Sequence, residues 1–124
     1  MERKTIQKDA IKEAFLSKSR PLRVEEVHQI GRRKVRSLNQ ATVYRNLKSL
    51  VETGWLKTIH HPELGVFYER AEQGHHHHFH CHACNHLFEI PGCALRKKES
   101  ALPGFVVERH EVFFFGVCSS CAHH

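Results

Sequence analysis

Four of the five cysteines in this chain fall into two pairs with C-x-x-C spacing. The first pair is Cys81 and Cys84, and the second is Cys118 and Cys121, near the end of the sequence. Two such pairs can supply four thiolates to one tetrahedral Zn²⁺, because the spacing within a pair lets both sulfurs reach the same ion. The sequence therefore predicts a structural zinc site on these four residues.

A run of histidines surrounds the first pair, and residues 75–86 read HHHHFHCHACNH. These histidines are too numerous for a single four-ligand site. Side chains of an extended strand alternate between its two faces, so His76 and His78 are predicted on one face and His75 and His77 on the other. One strand can therefore serve separate metal sites, including one whose ion exchanges. Three further histidines are expected at the surface or in support of the ligands: His80, His82 and His86.

A redox-active C-x-x-C motif is the competing interpretation of the cysteines. That chemistry requires the motif at the start of a helix after a buried strand, whereas Cys81 and Cys84 lie among histidine-rich strand residues. No apolar run approaches a membrane span and MERKTIQKDA is not a signal sequence, so a cytoplasmic protein without membrane attachment is expected. Cysteines stay reduced there, which favours metal binding over disulfides.

Charge divides the chain at about residue 70. Residues 1–70 contain 15 Lys and Arg against 8 Asp and Glu, a net of +7, and residues 71–124 contain 4 against 5, a net of −1. The second part also has all five cysteines and ten of the thirteen histidines. We therefore predict a basic domain over 1–70 and a metal-binding domain over 71–124. The basic domain favours a nucleic-acid partner, although a merely solvated basic surface would have the same charge.

Hydrophobic periodicity predicts three helices and a hairpin in the basic domain. An apolar stripe predicts a first helix over 5–16, and a short second helix ends near Gly31, before a basic loop over 31–37. Asn39 is the predicted N-cap of a third helix that stops at Gly54. The segments WLKTIHH and VFYER are predicted strands joined by the turn PELG. This order is that of a winged helix-turn-helix, in which the third helix enters the DNA major groove.

The third helix has one apolar face and one face suited to DNA. The apolar positions of this helix are Val43, Leu47, Leu50 and Val51. Rotation by about 100° per residue places Ala41, Arg45 and Lys48 on the opposite face, with Tyr44 at its flank. Arginine can contact guanine or phosphate, tyrosine can pack on thymine methyl groups, and lysine can neutralise a phosphate. An ordinary solvated amphipathic helix would show the same periodicity.

Several of these segments resemble the ferric uptake regulator family of metal-responsive repressors. The resemblance covers nearly the whole chain and rests on RKTIQKDAIKEAF (3–15), ATVYRNLKSLVETG (41–54), FYE (67–69), HHHHFHCHAC (75–84) and RHEVFFFGVCSSC (109–121). It implies an α+β fold, with an N-terminal winged helix and a small C-terminal α/β dimerisation domain that contains the four-cysteine zinc knuckle. It also implies a homodimer that binds double-stranded operator DNA. Residues predicted to contact this DNA are Tyr44, Arg45, Lys48, Arg3, Gln40 and Thr42.

The same resemblance assigns ligands to two sites besides the four-cysteine site. A regulatory site between the domains is matched by Glu69, His76, His78 and Glu89. A second cluster, within the dimerisation domain, is matched by His75, His77 and His110. Zn²⁺, Fe²⁺ and Mn²⁺ are all expected candidates for the regulatory ion.

This sequence departs from the family pattern at two ligand positions. The DNA-binding domain of the family often supplies a histidine to the regulatory site, but Pro21 stands about where that ligand would be. His28, His60, a water or nothing would take its place. Near the second cluster, Cys93 stands closest to the usual carboxylate, and a thiolate there would favour zinc.

The predicted function is metal-dependent repression of metal homeostasis genes through an inverted-repeat operator. A zinc-stabilised DNA-binding protein of the same fold, with structural metals and no sensing, is the alternative. A zinc hydrolase is a third class, but the chain contains no H-E-x-x-H motif, nucleophile elbow or phosphate-binding glycine loop. The sequence does not choose among iron, zinc, manganese and peroxide as the signal, although Glu89 replaces the aspartate of peroxide-sensing members.

Overall fold

A computed structural model describes residues 3–71, 76–91, 103–108 and 110–123 of the chain. It separates into two units, Met1–Glu72 and Gln73–His124. No helix within the described residues is long and apolar enough to cross a membrane.

Three helices form the first part of unit one: α1 (Arg3–Lys18), α2 (Val24–Arg32) and α3 (Gln40–Glu52). The Asn39 side chain accepts a hydrogen bond of 2.8 Å from the backbone N–H of Thr42, which satisfies a free donor at the start of α3. Gly54 follows the end of α3 with a φ of +83°, a conformation that glycine adopts without steric strain. Local sequence chemistry therefore fixes both ends of the third helix.

A two-stranded antiparallel hairpin follows, formed by β1 (Leu56–His61) and β2 (Gly65–Arg70). Leu22, in the segment between α1 and α2, forms an additional antiparallel bridge to Tyr68. Two backbone hydrogen bonds of 2.9 and 2.8 Å join these two residues. The hairpin is therefore attached directly to the helices as well as through the chain that follows α3.

The hydrophobic core of unit one joins all three helices to the hairpin. Its buried members are Ile11, Ala14, Phe15, Leu22, Val27, Leu38, Val43, Leu47, Leu50, Leu56 and Tyr68. Burial of this apolar surface is the main favourable contribution to folding of the unit. Because α3 contributes three of these residues, its orientation is set by the core, and its opposite face stays exposed.

Unit two contains β3 (His76–Cys81), β4 (Leu87–Pro91), β5 (Phe113–Gly116) and the short helix α4 (Ser119–Ala122). The strands form a sheet in the order β4-β3-β5, with β3 antiparallel to β4 and parallel to β5. In the described part of the unit, β5 therefore lies at the sheet edge. Phe114, Phe115 and Val117 are exposed there.

The predicted α+β fold class is confirmed, with three helices and a hairpin followed by a small sheet and a cysteine cluster. The second helix, predicted to end near Gly31, ends at Arg32, so the basic loop begins two residues later than predicted. Gly31 is buried against Leu38, and a side chain at this position would lie 2.6 Å from the Leu38 Cδ2 atom. The glycine serves helix packing here and does not end the helix.

Candidate functional site

The structure brings together the four cysteines of the two C-x-x-C pairs. Cys81 ends β3 and Cys84 lies in the turn after it, while Cys118 is the N-cap of α4 and Cys121 lies within that helix. Their four sulfurs all lie within 4.8 Å of one another. Sulfurs on a tetrahedron with Zn–S bonds of about 2.3 Å would be separated by roughly 3.8 Å. The cluster therefore fits a structural metal in both donor type and spacing.

Backbone hydrogen bonds hold each pair in its turn. Asn85 donates its N–H to the Cys81 carbonyl at 2.7 Å, and its φ of +58° tightens the turn. Ala122 donates in the same way to Cys118 at 2.9 Å. The two arms are joined by a bond from His82 N–H to the Gly116 carbonyl at 2.9 Å. The cluster is thus positioned by the sheet and its turns.

His80 supports the first turn from inside the unit. Its side chain is buried, and its Nε2 donates to the Asn85 Oδ1 atom at 3.1 Å. His80 was predicted to lie at the surface or to support the ligands. It is buried and contacts the turn that carries Cys84, so it supports the ligands. His82 is exposed and His86 is half-buried.

The protein environment separates the proton affinities of the thiols. A hydrogen bond from the Cys118 backbone N–H lowers the pKa of Cys81 to about 6, against the opposing effect of burial. The neighbouring Cys118 side chain, together with burial, raises the pKa of Cys121 to about 12. Burial also raises the pKa of Cys84. The fold therefore favours the thiolate form of Cys81, and an ion must help to deprotonate Cys84 and Cys121.

Loss of the bound ion in acid is the first expected result. Without an ion, the pKa of Cys81 is lowered to about 6, whereas those of Cys84 and Cys121 are raised. Protons therefore compete with a bound ion for the thiolates as the pH falls, and the ion in turn opposes their protonation. Protein loaded with zinc should retain it at pH 7 and release it as the pH is lowered further. A fluorescent zinc indicator during acid titration measures this release, and a midpoint at or above pH 7 would contradict it.

Two predicted regulatory ligands are cross-strand partners in unit two. His78 on β3 is paired with Glu89 on β4 in the antiparallel register, so their side chains leave the same face of the sheet. His78 is buried and Glu89 is half-buried. His76 belongs to β3 and is paired with Pro91, but its side chain lies outside the described part of the structure.

Residues of the second predicted cluster also meet in unit two. The rings of His77 and His110 have centroids 5.0 Å apart. His77 accepts a hydrogen bond at Nδ1 from the Val112 N–H at 3.3 Å, so a neutral ring carries its proton on Nε2. A metal at Nδ1 would have to displace this bond. His75 and Cys93, the other predicted members, lie outside the described residues.

Glu69, the predicted ligand from unit one, lies on β2 with its side chain 1% exposed. Its Oε1 atom is 3.5 Å from the Nζ atom of Lys57. Pro21 is fully buried, and His28 donates from Nε2 to the Leu38 carbonyl at 2.8 Å. His60 is exposed on β1. Proline offers no donor atom, so position 21 supplies no ligand in this chain.

The exposed face of α3 carries the side chains predicted to contact DNA. Tyr44, Arg45 and Lys48 are exposed, with Tyr44 at 57%. Arg45 donates from Nη2 to the Thr42 Oγ1 atom at 3.2 Å, which orients its guanidinium along the helix. Gln40 is exposed at the first position of α3, and Arg3 is exposed at the first position of α1.

A groove of about 380 Å³ lies between α1 and α3, and it extends this basic face. Its lining includes Lys4 and Lys8, which sequence analysis did not select, together with Arg45 and Asn46. Their four-residue spacing puts both lysines on one face of α1. That spacing was the available signal, but packing of α1 beside α3 was needed to relate it to the recognition face.

The sequence model described as the ferric uptake regulator family matches residues 2–115. The chain belongs to this family. Members of the ferric uptake regulator family are metal-responsive transcriptional regulators that bind DNA, and they are not enzymes. The zinc hydrolase alternative is thereby excluded, and the cysteine cluster is consistent with a metal-binding regulator.

Relatives of this chain include proteins named for iron uptake and proteins named for zinc uptake. The ferric uptake regulation protein of Campylobacter upsaliensis is 29% identical over 86 residues, which are 67% of this chain and 55% of the relative. The chain thus spans little more than half of that relative's length. The zinc uptake regulation protein of Mycobacterium tuberculosis is 30% identical over 100 residues, or 78% of this chain and 77% of the relative.

A solved structure of the ferric uptake regulator from Francisella tularensis with iron has the same fold. It superposes with a TM-score of 0.75 at 22% identity and covers 98% of this chain and 93% of that one. At this identity the likeness supports the fold alone.

Proposed function

We propose that the protein is a metal-dependent transcriptional repressor that binds an inverted-repeat DNA operator as a homodimer in the cytoplasm. The observation that carries this proposal is the exposed face of α3 with Arg45 and Lys48, in a segment (residues 1–70) of net charge +7. Arg45 is exposed on this face, and its hydrogen bond to Thr42 holds the guanidinium beside the helix. The Lys4 and Lys8 groove beside it adds positive charge where phosphates of a bound duplex would pass.

Dimerisation through unit two is supported by its exposed apolar residues. Phe114 and Phe115 lie on β5, at the edge of the described sheet, where backbone groups can pair with another strand. Large apolar side chains left exposed beside an unpaired strand edge are typical of protein interfaces. Further exposed members of the unit are Phe105, Val106, Val107 and Val117. A second copy of the chain is the proposed occupant.

Two classes of metal site are proposed. Zn²⁺ bound by the four cysteines would be structural, because thiolates in tetrahedral spacing suit it and leave no open ligand position. The regulatory ion would be Zn²⁺, Fe²⁺ or Mn²⁺, with Glu69, His76, His78 and Glu89 as the ligands. The cross-strand pairing of His78 and Glu89 supports this set, since imidazole and carboxylate leave one face together. The cluster of His75, His77, His110 and Cys93 remains a further proposed site.

The proposed switch acts through the orientation of the recognition helices. Glu69 lies on the unit that carries α3, so ligation of this carboxylate would restrict that unit in a dimer. Two recognition helices must be about 34 Å apart to read successive major grooves. Without the regulatory ion, only a small fraction of dimers would have the two recognition helices at this separation. Operator affinity would fall in proportion to that fraction.

Operator binding that depends on metal is the expected result that tests this function. Zinc-loaded dimer, treated with a mild chelator that spares the cysteine site, should bind operator DNA at least about tenfold more tightly after addition of Zn²⁺, Fe²⁺ or Mn²⁺. A gel-shift titration measures the affinity. His78→Ala should remove the metal response, whereas exposed His82→Ala should retain it. Equal affinity with and without metal, at constant dimer, would refute the proposal.

Two observations favour the alternative function, a zinc-stabilised DNA-binding protein that does not sense metal. Glu69 already has a cationic partner in Lys57, and Pro21 contributes no ligand. Under this alternative, His78→Ala would weaken the fold or the dimer together with DNA binding. Thermal unfolding measures the stability of the His78→Ala variant, and gel filtration measures its dimer. If both are unchanged while the metal response is lost, the variant has lost sensing and not structure.

A further inference from the structure

Lys57 and Glu69 form an ion pair with very unequal exposure. The two residues face each other directly in the β1–β2 register. The Glu69 side chain is 1% exposed, the Lys57 side chain is 43% exposed, and the atoms of the pair are 3.5 Å apart. A buried carboxylate is unfavourable without compensating charge or hydrogen bonds. Lys57 therefore supplies positive charge to Glu69 when no ion is bound.

The unequal exposure makes this partner replaceable. A lysine has a long flexible side chain and a strongly hydrated ammonium, so Lys57 can move into solvent with a small change in free energy. Glu69, held within β2 and buried, cannot follow it. On the opposite side, the antiparallel bridge of Leu22 to Tyr68 places residue 21 across from residue 69. That residue is a buried proline without a donor group.

We propose that Lys57 is a resident counter-ion of Glu69 that competes with the regulatory metal and so sets the metal concentration at which the protein responds. This rests on the proposed function, which makes Glu69 a ligand. A metal ion and the ammonium both draw on the negative charge of the same carboxylate, so ligation of a cation by Glu69 weakens or breaks its pair with Lys57. Apparent affinity for the metal is lowered by the free energy of that pair.

The test compares metal affinity in full-length protein with zinc in the cysteine site and no DNA present. Co²⁺ serves as the probe, because its visible absorption distinguishes nitrogen and oxygen ligation from thiolate ligation. Lys57→Met retains the length of the side chain and removes its charge, and we expect Co²⁺ to bind about tenfold more tightly than in wild type. Lys57→Arg, which retains the charge, should bind Co²⁺ no more tightly than wild type.

Lys34→Met is a matched control. Lys34 pairs with Glu13, but both side chains are exposed, so this variant removes the same charge from a pair without a buried carboxylate. Its Co²⁺ affinity should equal that of wild type. An equal gain in Lys34→Met and Lys57→Met would attribute the effect to net charge and overturn the proposal.

Thermal unfolding provides the second measurement. Metal-free Lys57→Met should unfold at a lower temperature than wild type, because Glu69 loses its counter-ion, and Co²⁺ should restore most of the difference. Equal destabilisation with and without Co²⁺, together with unchanged affinity, would overturn the proposal and leave a structural ion pair. Weaker Co²⁺ binding in Lys57→Met than in wild type, or no Co²⁺ binding outside the zinc-filled cysteine site in either protein, would also overturn it. Tighter binding in Lys57→Met without any metal effect on operator affinity would support competition and refute only the proposed function.

Discussion

Replacing Cys118 with serine is expected to remove the structural zinc and to unfold unit two. Structural zinc sites contribute an apparent binding free energy of about 10–16 kcal/mol, which is as large as the roughly 5–15 kcal/mol stability of a typical domain. Unit two has only about 50 residues, and its described sheet has three short strands. A unit of this size buries too little apolar surface to compensate. Loss of the dimer and of operator binding should follow.

Elemental analysis of the purified Cys118→Ser protein measures the zinc, and limited proteolysis measures the fold of unit two. Ser120→Ala is the matched control, since Ser120 is an exposed neighbour of the ligands on α4. It should retain zinc and protease resistance. A Cys118→Ser dimer with full zinc content would show that the cluster is not the structural site.

Replacing Arg45 with alanine is expected to lower operator affinity by about 10- to 100-fold, the range of one arginine contact to a base. The side chain is exposed on α3, and its Thr42 hydrogen bond contributes little to stability. Zinc content and melting temperature should therefore remain those of wild type. The loss should also differ among operator variants, because a base contact is specific to sequence.

Fluorescence anisotropy with labelled operator at fixed salt measures this loss. Lys18→Ala removes one positive charge from the last turn of α1 and should weaken binding far less. Comparable losses in both variants would mean that general charge, and not recognition by α3, determines the affinity.

Features encoded by short-range patterns were accessible from the sequence. The cap at Asn39, the positive-φ glycine at position 54 and the spacing of Val43, Leu47 and Leu50 were enough to predict α3 and its buried face. C-x-x-C spacing similarly identified the cysteine cluster, because each arm is a local turn. Only the meeting of the arms required the parallel pairing of β3 with β5.

Features created by packing were not accessible in the same way. The contact between Lys57 and Glu69 depends on the register of β1 against β2. A shift of one residue would place Glu69 opposite another residue and on the other face of the hairpin. The hydrogen bond from His28 to the Leu38 carbonyl joins residues whose proximity results from α2 packing near the start of α3. Periodicity gives the face of a side chain but not its partner. For this reason the buried state of Glu69 was not predicted.

The bridge between Leu22 and Tyr68 has a consequence for how the protein would read DNA in its two metal states. It joins the strand that carries Glu69 to the segment that leads into α2, and the shared core joins α2 to α3. If the proposed ion binds Glu69, we therefore expect the hairpin and the three helices to move together. Sequence specificity should therefore be the same with and without the regulatory metal, and only the affinity for the operator should change.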